Sequence, residues 1–437
     1  MSTAAIAARP SNSPRRVLFA SLVGTTIEFY DFYIYATAAV LVFPQLFFPG
    51  SDPTTAMLQS LATFAIAFFA RPFGSALFGH YGDRIGRKAT LVAALLTMGV
   101  STVVIGLLPT YAQIGVLAPL LLALCRFGQG LGLGGEWGGA VLLATENAPP
   151  GKRAWYGMFP QLGAPLGFLL SGLSFLALGE MLDEEQFFSW GWRVPFLASA
   201  LLVIIGLYVR LQIEETPVFR ETLDRQERVR LPMAEVFRRH PRALVLGTAM
   251  ALATFVLFYL TTVFSLTWGT TALGYARDDF LILQLFAVLF FAFTVPVAAL
   301  LADRFGRRRT LLWVTLGIGL FGLLFQPLFG SGGLPGVLAF LVMGLALMGM
   351  TYGPLGTVLS ELFPPEVRYT GASLTFNMAG IFGASLAPYI ATWLATRYGL
   401  AAVGFYLAGA ALITLAALWL TSETRDQQWL QQPRKGD

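Results

Sequence analysis

One cysteine in 437 residues leaves no internal disulfide to hold a fold together, and that residue, Cys125, lies inside an apolar run. Two histidines, His80 and His240, offer no pair for a metal site. Charge is scarce as well. Only 12% of the chain is charged, against about 25% for a soluble domain. There is no Walker motif, so ATP is not the expected energy source. No catalytic triad and no His/Cys cluster is present, which argues against an enzyme and against any cofactor. The basic tracts carry no nucleic-acid fold signature, so no nucleic-acid partner is expected. No Gly/Ser-rich linker or low-complexity tract divides the chain.

What fills the sequence is apolar. The composition is 56% hydrophobic with 37 phenylalanines, and mean hydropathy is +0.67. One water-soluble core cannot hide so much apolar surface. The runs predict twelve spans, near 17–43, 57–78, 89–108, 116–145, 155–178, 193–211, 243–268, 279–302, 310–330, 335–360, 370–396 and 400–421. Most reach the roughly 20 residues that cross a bilayer as a helix. They are long and continuous rather than alternating ten-mers, which excludes a β-barrel reading. The first run is too long for a signal peptide and holds Glu28 and Asp31. Its lipid-embedded partner is therefore the bilayer itself.

Lys and Arg are distributed unevenly. With a cytoplasmic N-terminus, one side receives Arg9, Arg15, Arg16, Arg84, Arg87, Lys88, Lys152, Arg153, the basic residues of 210–242, the 304–309 cluster, Arg368 and the tail. The opposite side receives little beyond Arg277 and Arg397, with Arg193 at a helix entrance. The 179–192 loop carries Glu180, Asp183, Glu184 and Glu185 and no basic residue before Arg193. This is the positive-inside pattern, and it also accounts for the net charge of +5.

The chain repeats itself. DRIGRK at 83–88 returns as DRFGRRR at 303–309. ENAPPGKRA, from Glu146, returns as ELFPPEVRY, from Glu361, with Arg153 and Arg368 in step. EET at 214–216 is echoed by SET at 422–424. Long-period similarity in a hydrophobic chain reads as a duplicated membrane unit. The expected divisions are an N-terminal six-helix bundle over 1–211, a polar cytoplasmic linker with short helices over 212–242, and a C-terminal bundle with a short tail over 243–437.

A charge in mid-bilayer costs at least about 2.5–3.5 kcal/mol and normally faces a partner or a water cavity. Four such residues stand out: Glu28, Asp31, Arg126 and Glu136. Glu28 and Asp31 share one helical face, and so do Arg126, Gln129 and Glu136. One cation facing three acids leaves excess negative charge unless an acid is protonated, which is what a proton carrier needs. Glu28 is nearer the start of its span and is expected to be half-solvated. Glu136, in a Gly-rich stretch, fits a cavity role and a structural pairing equally.

GHYGDRIGRKA and its echo LADRFGRRRT resemble the signature loops of the major facilitator superfamily. EFYDFY in span one with RFGQGLGLGGEWGGA in span four is similar to its metabolite:proton symporter branch, which includes shikimate, citrate, 2-oxoglutarate and proline/betaine carriers. The resemblance covers the whole chain and implies an all-α membrane protein with the major facilitator fold, twelve helices in two pseudo-symmetric bundles. It implies alternating access in a bacterial inner membrane. The leading expectation is symport of a small carboxylate with a proton, by a monomer. A zwitterionic osmolyte such as betaine is the alternative, and a non-transporting sensor a remoter one.

The resemblance also assigns roles. Asp31 and Arg126 occupy the places of the coupling pair, with Glu28 and Glu136 as further acids; a static ion pair that fixes packing is the competing reading. Gln161 stands near the place where sugar-type members use a glutamine for substrate. Arg126 and Gln129, with Tyr259, Tyr352 and Asn377 from the second half, are by their polarity candidates to line the cavity and bind substrate, or else serve packing. Asp83, Arg84, Gly86 and Arg87, with Asp303, Arg304, Gly306 and Arg307, form gate latches in the family, joined here by Glu146, Arg153, Glu361 and Arg368. The aspartates can cap a neighbouring helix and pair with arginine; the glycines suit a sharp turn. Alternatively the basic residues serve only the positive-inside bias.

Both termini and the linker are expected on the cytoplasmic side. A Ser13→Cys variant should resist an impermeant thiol reagent applied from outside intact cells, and strong labelling would reverse the orientation.

Overall fold

The computed structural model describes residues 14–50, 52–85, 87–211, 232–364 and 367–425, and their side chains except at 14, 79–91, 146 and 232. These residues form helices, with no strand among them. Twelve helices are long and apolar. In the first half they are α1 Pro14–Leu41, α2 Pro53–Ile85, α3 Arg87–Leu107, α4 Leu117–Gly134 continued as Trp137–Glu146, α5 Arg153–Met181 and α6 Val194–Leu211. In the second they are α7 Pro241–Tyr259 continued to Thr271, α8 Arg277–Phe305, α9 Arg307–Leu323, α10 Leu334–Glu361, α11 Arg368–Gly380 continued to Tyr398, and α12 Leu400–Trp419. Among the described residues, ten of them meet full membrane-spanning length and hydropathy; α3 and α9, the third of each half, are the other two.

The helices form because hydrocarbon leaves backbone polar groups no partner but each other. Where the helix is irregular, a side chain intervenes. α7 loosens into a π-turn at Leu260–Phe264. Gln284 of α8, fully buried, donates its Nε2 to the Thr262 carbonyl at 2.7 Å, which also accepts from Ser265, and so braces that turn. α11 has a matching π-turn at Ile381–Ser385. α2 starts on Asp52, whose carboxylate accepts the Thr54 and Thr55 amides at 3.2 Å. Hydrogen bonds from Thr55 hold that carboxyl below its usual range.

α1 packs along α5, α2 along α4 and α3 along α6; α8 packs along α10 and α9 along α12. The two halves meet mainly through α5 against α8 and α2 against α11. The α2–α4 contact is backbone on backbone. A Cβ on Gly134 would overlap the Arg71 carbonyl, and one on Gly74 would overlap the Leu131 carbonyl. Small residues of this kind let membrane helices approach closely.

The DR-x-GR tracts are not loops. α8 runs through Asp303 to Phe305 and α9 starts at Arg307, with one residue between. That residue, Gly306, has φ +106°, and a Cβ there would strike the Glu423 carboxylate. The turn needs glycine, as the sequence implies. α2 and α3 likewise leave one residue between them, the position of Gly86, which lies outside the described residues.

Gly134→Ala is expected to destabilise the folded carrier by about 1–3 kcal/mol through overpacking. Gly409→Ala, whose Cβ meets nothing within 4 Å, serves as the control. Apparent Tm in detergent measures both, and equal values would deny the α2–α4 contact its part in stability.

Candidate substrate and coupling site

The charges predicted inside the spans are buried together in the first half. Glu28 is 4% exposed, Asp31 1%, Glu136 2% and Arg126 0%. Glu28 is thus fully interior rather than half-solvated: α5 and α6 cover the face of α1 that the sequence leaves open.

Asp31 and Arg126 do not touch. They are joined by a chain. Thr102 of α3 shares its hydroxyl proton between Asp31 Oδ2 at 3.2 Å and the Met98 carbonyl at 3.0 Å; Gln129 Nε2 donates to Thr102 Oγ1 at 2.8 Å; Arg126 Nη1 donates to Gln129 Oε1 at 2.8 Å. Ser199 of α6, also buried, lies against the same Asp31 carboxylate. The direct pair is replaced because α3 inserts Thr102 between α1 and α4. Arg126 turns instead to the Phe64 carbonyl at 3.3 Å and to the rings of Phe32, Tyr35 and Phe64, 4.6, 4.1 and 4.9 Å from its guanidinium carbon. Cation–π contact is strongest where water is excluded.

The expectation of one cation against three acids is corrected by two further arginines. Arg71 of α2 is 5% exposed and stacks over Phe32 at 4.9 Å and Phe68 at 4.7 Å. Arg210, at the end of α6, is ion-paired with Glu136 and reaches over Gly24, one turn before Glu28. Glu136 is thereby tied to α6. Arg71 had a signal in the sequence, a lone arginine in the run FAIAFFARPFGSALF. Arg210 did not, since a basic residue at a span end reads as a membrane-surface charge.

The second half closes over this cluster. The Tyr259 ring lies 6.3, 5.6 and 5.5 Å from those of Phe32, Phe64 and Phe68. Tyr352, 3% exposed, stands 6.5 Å from Phe29, and its hydroxyl makes no hydrogen bond among the described residues. Gln161 bridges the halves: it accepts from Trp137 Nε1 and donates to the Tyr352 carbonyl, both at 3.0 Å. Asn377 donates to Ser75 Oγ at 2.8 Å, and Trp137 stacks on Phe376 at 3.7 Å. The three second-half residues singled out by sequence therefore all sit at the junction between the bundles.

Beyond this junction, on the face that bears Arg153, Asp303 and Glu361, a polar network ties one bundle to the other. Asp303 accepts the Ala154 and Trp155 amides at 3.1 and 2.9 Å, capping α5 of the opposite half, and pairs with Arg307 at 3.2 Å. Arg307, 1% exposed, also pairs with Glu361 at 3.3 Å. Arg153 approaches Glu361 at 3.8 Å from across the junction. Glu361 accepts from Thr424 at 2.6 Å, and Glu423 caps α9 through the Arg307 and Arg308 amides at 2.8 and 3.1 Å. The SET echo thus belongs to the network, which the sequence reading did not foresee. Arg368 donates to the Phe363 carbonyl at 3.1 Å. Arg304 stays on the surface, its carbonyl accepting from Arg425. The first-half counterparts Asp83, Arg84, Arg87 and Glu146 have side chains outside the described residues.

A carboxylate at a helix N-terminus with two amide donors is a strong, breakable contact, worth roughly 1.5–3 kcal/mol. Asp303→Asn should weaken it and let this face open. Spin labels at Lys152 and Arg309, both exposed, in a Cys125→Ser background report the separation. A shift toward longer distances is expected; an unchanged distribution would leave the cap without a role in holding the halves.

The family model described as Major Facilitator Superfamily matches residues 21–384 and 281–436. The chain is 63% identical over 423 residues to the inner membrane metabolite transport protein YhjE of Escherichia coli K12, covering 96% of each chain. It is 36% identical to the shikimate transporter of the same organism, over 94% of this chain and 95% of that one. A proline/betaine transporter of Salmonella typhimurium is 34% identical, over 87% and 77%. Among solved structures, the xylose transporter XylE of E. coli in a partially occluded inward open conformation superposes with TM-score 0.74 at 17% identity, over 96% of this chain and all of that one, a likeness of fold. The chain belongs to the major facilitator superfamily and is a membrane transporter, not an enzyme.

Proposed function

We propose that the protein is a proton-coupled symporter of a small carboxylate metabolite, working by alternating access across the bacterial inner membrane. The observation that carries this reading is the buried chain from Asp31 through Thr102 and Gln129 to Arg126. A proton on Asp31 weakens its acceptor role toward Thr102 and, through Gln129, the hold on Arg126. A substrate carboxylate reaching Arg126 acts on the same chain from its other end. Binding and protonation are then linked through four neighbouring side chains, with no long-range relay. Guanidinium is the group best suited to a carboxylate in a dry site.

On this reading residues 1–211 and 243–437 are the two moving bundles and 212–242 the cytoplasmic linker. Both termini are cytoplasmic, and the Asp303–Arg307–Glu361 network is the cytoplasmic latch. By the internal repeat, Asp83, Arg87 and Glu146 form its counterpart. A monomer suffices, because each bundle supplies its own part of the site. The names of the relatives span acids and betaines, and the aromatic walls give the osmolyte reading its support.

Thermal-shift screening of the purified carrier against shikimate, 2-oxoglutarate, malate, benzoate and glycine betaine separates the two, since a specific ligand stabilises the folded state by mass action. Uptake into proteoliposomes then tests coupling. Asp31→Asn should abolish accumulation driven by a pH gradient while counterflow exchange survives. Accumulation by Asp31→Asn at the wild-type level would remove Asp31 from the coupling role.

A further inference from the structure

Arg71 and Arg126 form an unusual pair. They come from different helices, yet each guanidinium lies within 5 Å of the centre of one ring, Phe32, at 4.9 and 4.6 Å. They are near enough to repel. Neither has a carboxylate within the 4.0 Å that defines an ion pair among the described residues. Arg71 Nε and Arg126 Nη2 are buried without a hydrogen-bond partner among the described residues. Two like charges brought together in a low-dielectric interior, each with an idle donor, are costly unless a shared anion joins them.

Around Arg71 stand Arg126, the tyrosines Tyr33, Tyr259 and Tyr352, and Glu28, which must take up a proton when an anion enters. Tyr352 adds a third idle group, its hydroxyl. Arg71 Nη1 points to the junction, 3.9 Å from where a Cβ would stand on Gly380 of α11. The guanidinium is therefore presented between the bundles, where a transported molecule must pass.

Resting on the symporter reading above, we infer that Arg71 is a second substrate-binding guanidinium and that, with Arg126, it selects a small organic anion over a zwitterion. The rings bear this out chemically. A quaternary ammonium needs free aromatic faces. Phe32, Phe64, Phe68 and Tyr35 already carry the two guanidiniums. A betaine would meet like charge at these four rings, which leaves it Tyr33, Tyr259 and Tyr352.

Charge balance gives the same answer. Among the described residues the cluster holds three acids, Glu28, Asp31 and Glu136, and three guanidiniums, Arg71, Arg126 and Arg210. Each negative charge that enters on the substrate is neutralised by one proton on one of the acids. An anion and its protons can thus cross the membrane together without burying net charge.

The test compares acids with their neutral isosteres. Purified wild-type carrier is titrated with acetate, lactate, malate, 2-oxoglutarate, shikimate and benzoate, with the methyl ester of each, and with glycine betaine. The expected result is binding of at least one acid, with its ester weaker by roughly 10–100-fold. Arg71→Gln should weaken the acid by a similar factor and leave the ester unchanged, so that the preference for charge collapses. Arg71→Lys, which keeps the charge without the fork, should restore part of it and serves where Arg71→Gln does not fold. Betaine binding with no acid bound would overturn the carboxylate reading itself. Acid binding with an unaltered acid-to-ester ratio in both variants would overturn the role of Arg71 alone.

Discussion

A guanidinium in hydrocarbon has no water to share its charge, and the first half of this protein is organised around that cost. Arg71, Arg126 and Arg210 are all buried or nearly so. Each is accommodated differently. Arg210 takes the Glu136 carboxylate, Arg126 takes a carbonyl, an amide oxygen and three rings, and Arg71 takes two rings. The aromatic content of α1 and α2 follows from this. Phe32, Phe64 and Phe68 present π faces to cations that the fold has stripped of solvent.

The glycines of α2 and α4 make the arrangement possible. Gly134 lets the α4 backbone rest on the carbonyl of Arg71, and Gly74 returns the contact against Leu131. Two helices that close bring Arg71 and Arg126 to the same ring. Larger residues there would separate the helices and leave each guanidinium alone against lipid-like surroundings. The packing and the electrostatics are one device.

Polar contacts across the junction are of two kinds. Near the centre they are few and mixed with aromatic stacking, as in Gln161 with Tyr352 and Trp137 with Phe376. Toward the face bearing Asp303 they become ionic and dense, with a carboxylate capping a helix of the opposite bundle. A cap of this kind is strong when aligned and lost on a small rotation, because amide hydrogen bonds weaken steeply with angle. Such contacts suit a closure that must also release.

Much of this was legible in the chain. Hydropathy runs marked the spans, and the repeats marked the two halves. The rule that membrane charges need partners marked Glu28, Asp31, Arg126 and Glu136. Asp303 was readable as a helix cap because a carboxylate beside a turn glycine has few other uses. Local patterns carry such information since helix period, span length and insertion cost are properties of a segment by itself. The sequence could not say that Thr102 stands between Asp31 and Arg126, that Arg210 folds inward onto Glu136, or that Glu423 caps α9. Those facts depend on which helix lies beside which, at what rotation. A charge near a span end looks the same whether it meets water or a buried carboxylate. Only the packing of α1, α3, α4 and α6 against one another decides between them.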